Sequence, residues 1–226
     1  MSLLNEIKIY FRMLFNYKPK TFWNELLTNS FDLKGVGHYR MSNEENLKMY
    51  EKKKGILAEQ MNAAEIKITP ETRMVEIGVG VGYWTEYFHS LGVKNYLGND
   101  IAEISVTNLQ KKYPEYEFIH GDISEVMLPM GQFDIGVMID VTQHITDDRR
   151  FEKAMDNLWK SLKSGAYLII TMWDPAKNVY LSNKLRLNRI EKPRGLDRYL
   201  KIYGKDAKVL SNVDFNDKFL LIIKKP

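Results

Sequence analysis

Glycines and acids in this chain recur at spacings that could hold a nucleoside-bearing ligand. Gly78, Gly80 and Gly82 occupy every second position after the short apolar run Met74 to Ile77, which carries one acid, Glu76. Glycines at such a turn admit positive φ and remove the Cβ atoms that would keep a ligand off the main chain. The helix that follows would aim unpaired N–H groups at that ligand. Asp100 comes 18 residues after Gly82, about where a carboxylate accepts both hydroxyls of a ribose, and Ile101 beside it could cover one face of a purine. Capping the next helix is the competing role for Asp100. In Gly121-Asp122-Ile123 the acid could accept from an exocyclic adenine amine while Ile123 packs on the ring. Asp122 could equally cap a short turn. Asp140 leaves a buried run into a crevice, which is unfavourable unless a cation or donors meet it. His144, four residues on, is of a type that can accept a proton near neutral pH, bond a substrate or serve the structure.

The elements that must position these residues follow from the pattern. From Met74 onward apolar runs alternate with helical periods, the signature of a parallel sheet with crossover helices. The spacing predicts strands at 73–77, 94–99, 116–119, 133–139 and 166–172, and helices at 83–91, 102–112, 124–127 and 148–163. Two further strands, 208–213 and 218–223, are separated by only Asp214 to Asp217, too short for a parallel crossover. They must form a hairpin or bridge separate places in the sheet. In such a sheet a ligand lies beyond the carboxyl ends of the strands, where these acids fall.

The Glu-x-Gly-x-Gly-x-Gly element of residues 76–82 resembles the first motif of class I S-adenosylmethionine-dependent methyltransferases. A dinucleotide fingerprint would need its third glycine at Tyr83 instead. Gly121-Asp122 after the third strand belongs to the same methyltransferase pattern. The stretch from Phe133-Asp134 to Asp140-Val141-Thr142-Gln143-His144-Ile145 is similar to that of the small-molecule members. The resemblance covers roughly residues 70–226. It implies a Rossmann-like three-layer α/β sandwich, with a mostly parallel seven-stranded sheet and an antiparallel C-terminal strand. It implies S-adenosylmethionine as cofactor, held by Glu76, Gly78, Gly80, Gly82, Asp100, Ile101, Asp122, Ile123 and Asp140, with Asp140 facing the methionine end and His144 near the methyl group. Asp140 and Asp174 both follow strands, as in magnesium-dependent catechol-type enzymes, but Pro175 stands where those need a carboxamide, so no metal is expected.

Outside the shared motifs the chain divides into a helical extension, 1–65, and the main domain, 66–226, with a substrate-side insertion at about 175–205. Residues 3–17 form an amphipathic pattern with a wide aromatic face, suited to a lid, a packed helix or a foot on an anionic membrane surface. Ser42 and Glu45 make a capping box for the helix that follows, which runs towards Met61 unless Gly55 divides it. The loop 31–39, with two glycines, His38 and Tyr39, is a candidate substrate contact, as are Trp173 and Arg194. Residues 184–205 hold eight Lys and Arg against two acids, which favours an anionic substrate if that segment lies over the pocket.

The composition sets bounds. With 226 residues, 44% hydrophobic and 27% charged, the chain suits one α/β domain with an extension. Without cysteine, disulfides, thiolate metal sites and cysteine nucleophiles are excluded, and a reducing cytoplasm is the simplest home. Neither a secretion signal nor an apolar run long enough to span a membrane is recognisable. The expectation is methyl transfer to oxygen or nitrogen of a small, anionic metabolite such as a sugar or natural-product precursor. RNA methylation, a non-catalytic cofactor-binding protein and a nicotinamide-dependent oxidoreductase are the alternatives, although aromatic platforms at even spacing for nucleic acid are absent. The oligomeric state is not legible.

Overall fold

The computed structural model of the protein describes residues 17–38, 41–175 and 190–226. Seven strands form one sheet: β1 (Arg73–Ile77), β2 (Asn95–Asp100), β3 (Glu117–His120), β4 (Phe133–Met138), β5 (Leu162–Met172), β6 (Lys208–Phe215) and β7 (Lys218–Lys224). Their order is β3-β2-β1-β4-β5-β7-β6. The first five run parallel, and β7 is antiparallel to both β5 and β6. The terminal pair is therefore both a hairpin, turned at Asn216 and Asp217, and an insertion, because β7 separates β5 from β6.

Successive residues of a strand face opposite sides, and the core divides accordingly. Val75, Ile77, Leu168, Ile170, Leu221 and Ile223 pack against α6 (Asp148–Ser161) and α7 (Leu196–Tyr203). Met74, Ile169, Leu220 and Ile222 face the other way, towards α3 (Asn43–Ala63), α4 (Tyr83–Ser90) and α5 (Glu103–Lys112). Three layers result. The helix expected at 124–127 is only a turn, in which the Asp122 carbonyl accepts from Glu125 and Val126 at 2.8 Å. Pro129 soon after it supplies no donor and disfavours a helical residue before it, so the turn cannot extend.

Three helices precede the sheet. Pro19 opens α1 (Pro19–Asn29) at a position where its missing N–H is not needed, and Asp32 caps the short α2 (Leu33–Val36) through the amides of Lys34 and Gly35. Ser42 and Glu45 form the expected capping box of α3, which continues unbroken through Gly55. Its buried face carries Asn46, Tyr50, Lys53, Leu57 and Met61. Asn46 ties the preceding loop to this helix: Oδ1 accepts from His38 N at 2.7 Å, and Nδ2 donates to the carbonyls of His38 and Ser42, both at 3.1 Å. The two glycines of that loop serve packing, since a Cβ on Gly35 would lie 2.1 Å from the Ser30 carbonyl and one on Gly37 2.2 Å from Asn46 Oδ1.

Asn46→Ala would leave buried backbone groups of this loop without partners. It should lower unfolding free energy by about 1–3 kcal/mol, measured by urea denaturation.

Candidate active site

A cavity of about 280 Å3 opens beyond the carboxyl ends of β1, β2, β3 and β4. Its floor is the turn between β1 and α4, where Gly78, Gly80 and Gly82 adopt φ of +77°, +52° and +84°. A Cβ on Gly78 or Gly82 would run into Val141 at 2.2 Å or Leu109 at 2.5 Å, and one on Gly80 would press on Val36 at 3.0 Å. Gly78 and Gly80 line the cavity, whereas Gly82 is the N-cap of α4 and does not reach it. Asp100 closes the turn from β2: Oδ2 accepts from Gly80 N and Oδ1 from Ala102 N, both at 2.8 Å. Burial raises its pKa, opposed by these amides. Asn99 ties β2 to the end of β3 by donating to the Ile119 and Gly121 carbonyls at 3.0 and 3.1 Å.

Ile101 and Ile123 also line the cavity, with Asp122 beside them. Asp122 Oδ1 accepts from the amide and hydroxyl of Ser124 at 2.7 and 2.6 Å, while Oδ2 pairs with Arg150. Asp140 stands at the end of β4 in the left-handed region, with φ +59°. The cation that a buried acid demands comes from the protein itself: Lys53 Nζ lies 2.8 Å from Oδ2 and Lys218 Nζ 3.3 Å from Oδ1. Burial would raise this carboxyl, but the two lysines outweigh it and hold the group far below the usual range. Lys53 left a signal in the sequence, since it occupies the buried face of α3 in step with Asn46, Tyr50 and Leu57. Lys218 gave none, because only the inserted β7 brings it to β4.

His144 sits in a 3-10 turn, Thr142–His144, and lines the cavity. Its Nδ1 is 3.3 Å from the Ile190 carbonyl and its Nε2 is 3.2 Å from Gln143 Nε2. A carbonyl can only accept and an amide nitrogen can only donate, so Nδ1 carries the proton and Nε2 is the acceptor. Burial lowers its pKa. The ring is neutral, with its lone pair engaged. Against it stands Trp23 of α1, edge to face at 4.8 Å between centroids. Tyr17 accepts from Trp23 Nε1 at 3.2 Å and also lines the cavity. At the other end of the crevice Asn24 Oδ1 accepts the Ile104 amide, 3.3 Å away, at the start of α5. Thus α1 spans the opening. Spacing does not single out Trp23 or Arg150, another lining residue, because both approach from distant elements.

Other expected site residues do not line this cavity. Glu76 alternates with Val75 and Ile77 and so points to the α4 side, where the hydroxyls of Tyr96 and Thr85 donate to its Oε2. His38 is tied to Asn46, and the Trp173 carbonyl accepts from Arg194 N at 2.9 Å. Arg194 is buried: it pairs with Asp148 at 3.0 Å, donates to the Ile145 carbonyl at 2.8 Å and lies 4.0 Å over the Phe151 ring. Lys192 and Arg198 likewise pair with Asp148 and Glu152 of α6. Tyr39, residues 3–16 and the basic residues at 184, 186 and 189 lie outside the described residues. No described helix is long and apolar enough to cross a membrane.

The donor set suits a nucleoside with a cationic tail. Bare left-handed main chain, two isoleucines and acids at both ends are present, and one of those acids, Asp140, is held ionised by Lys53 and Lys218. Residues 75–170 match the family model described as a methyltransferase domain. A Mycolicibacterium smegmatis protein designated a probable S-adenosylmethionine-dependent methyltransferase is 24% identical over 98 residues, 43% of this chain and 37% of that one. A Mycobacterium tuberculosis protein of the same designation is 27% identical over 78 residues, 34% of this chain and 28% of that one. These matches span about a third of the relatives' length. Among solved structures, magnesium protoporphyrin IX methyltransferase from Synechocystis PCC 6803, with bound S-adenosylmethionine, superposes with a TM-score of 0.65 at 15% identity, covering 94% of this chain and 99% of that one. The N-methyltransferase NodS from Bradyrhizobium japonicum WM9 gives 0.57 at 16%, covering 78% and 87%.

Glu76 carries a pH prediction. Burial pushes its carboxyl up to about 8, against the hydroxyls of Tyr96 and Thr85. The folded protein keeps this proton where the unfolded chain releases it, so stability should fall as pH rises from about 4.5 to about 8. Denaturant titrations at both ends of that window should show the Glu76→Gln variant losing less stability than the unsubstituted protein.

Proposed function

We propose that the chain, whose residues 75–170 match a methyltransferase domain, is a class I S-adenosylmethionine-dependent methyltransferase that transfers a methyl group to an oxygen or nitrogen of a small molecule held beside His144. The observation that carries this reading is the joining, in one cavity, of Gly78, Gly80, Asp100, Ile101, Asp122, Ile123 and Asp140. When bound, S-adenosylmethionine supplies an electrophilic methyl on a sulfonium. Asp100, already steadied by two backbone amides, would accept the ribose hydroxyls. Ile101 and Ile123 would sandwich the adenine, and Asp122 would accept its amine. Asp140 would receive the amino end.

The acceptor side is formed by Tyr17, Trp23 and His144. His144 acts there as a neutral wall, and a base role would require Gln143 to withdraw from its Nε2. Methyl transfer is an in-line displacement, which positioning of donor and acceptor promotes without a dedicated base. The cavity is at the small end for ligand sites, and α1 crosses it, which supports a small acceptor over RNA. Its charged lining residues are mostly acids, and Lys192, Arg194 and Arg198 of the basic stretch are turned onto α6. A neutral acceptor fits these surroundings better than an anion.

Calorimetric titration with S-adenosylmethionine tests this reading, and an absence of binding would end it. Asp100→Ala should weaken binding by about 1–3 kcal/mol, the scale of losing buried hydrogen bonds. Incubation with labelled cofactor and a metabolite extract then identifies the molecule that gains the methyl.

A further inference from the structure

We propose that Lys53 and Lys218 are positioning residues for the cofactor, holding Asp140 as an ionised acceptor at the end of β4. The inference rests on the reading of the cavity given above. Neither lysine lines the cavity, whereas Asp140 does. The three side chains are nearly withdrawn from solvent, at 2% exposure for Lys53, 10% for Lys218 and 15% for Asp140. Lys53 reaches Oδ2 from α3, with its Nζ 5.7 Å from the Tyr50 ring centroid and 5.4 Å from that of Phe215. Lys218 reaches Oδ1 from the first residue of β7.

The backbone of Asp140 is fixed independently. Its N–H donates to Thr171 Oγ1 at 2.7 Å, its carbonyl accepts from Gln143 at 2.9 Å, and its φ is left-handed. The main chain therefore places the carboxylate and the lysines set its charge. A buried carboxyl facing fewer cations takes up a proton, and a protonated carboxyl is a poor partner for an ammonium. The other titratable groups near Asp140 are Asp217, 2.9 Å from Lys218, Tyr50 on α3, the neutral His144 on the next turn and Glu191 beyond. Both lysines stand outside residues 75–170, so the extension and the last strand would tune a site built within the shared domain.

The test uses S-adenosylhomocysteine as probe, titrated by calorimetry into the unsubstituted protein, Lys53→Met, Lys218→Met, Lys53→Arg and the double variant Lys53→Met/Asp140→Asn. Measurements are made at about pH 7 and about pH 5, both below the titration of an α-amino group. Either lysine-to-methionine change lifts the Asp140 pKa, so its carboxylate is lost as pH falls. The ratio of variant to unsubstituted Kd should rise at least fivefold between the two pH values. Lys53→Arg should keep that ratio nearly constant, and so should the double variant, whose position 140 no longer titrates. A role confined to folding would alter thermal stability without this pH signature. Should one methionine variant fail to fold, the other decides. Tight binding by the unsubstituted protein with flat ratios would overturn this inference alone, and no binding by the unsubstituted protein would overturn the reading of the cavity together with it.

Discussion

Between β1 and α4 the backbone turns through left-handed conformations at Gly78, Gly80 and Gly82, and at the first and last of them a neighbouring side chain fills the place a Cβ would take. The carboxylate of Asp100 completes this turn by accepting the Gly80 amide. Main chain is thereby laid bare at the point where the strand order reverses, between β2 and β4 on either side of β1. Everything else at the site is arranged around that surface. Asn99 holds the end of β3 against it, Val141 closes on Gly78 from β4, and Val36 of α2 covers Gly80. The donors and apolar walls suit a nucleoside because of where this turn lies, more than because of any single side chain.

A second constraint joins the parts of the chain that lie outside the shared domain. Asp140 cannot remain an isolated anion at the end of a buried strand, and Lys53 and Lys218 meet it from the helical extension and from β7. The extension is thus built into the site by charge as well as by packing, since Tyr50, Leu57 and Met61 of α3 share the core with Met74 and Ile222. The helix α1 completes the enclosure by resting Trp23 on His144 and Asn24 on the start of α5. Selection of the acceptor would then reside in residues contributed by α1 and the turn after β4.

The sequence revealed features whose causes are local. Alternating strand and helix periods gave the sheet, and the short link between the last strands gave the hairpin, because periodicity and loop length act over a few residues. Gly78, Gly80, Asp100, Asp122 and Asp140 are legible as strand-end residues, and the structure brings them to one cavity. Glu76 is expected beside the cofactor from its place before the glycines, whereas the structure turns its carboxyl away from the cavity onto Tyr96 and Thr85. Arg194 was read from local charge as a substrate contact, yet Asp148 and the Ile145 carbonyl claim it across 46 and 49 residues of sequence. Long-range pairing leaves no local period, and the partners of Asp140 escaped notice for the same reason.

The most direct test of the account is a crystal structure of the protein with S-adenosylhomocysteine. The ribose hydroxyls should lie on Asp100, the adenine between Ile101 and Ile123, and the amino group beside Asp140. A ligand bound elsewhere, or one that leaves Asp100 and the glycine turn untouched, would contradict it.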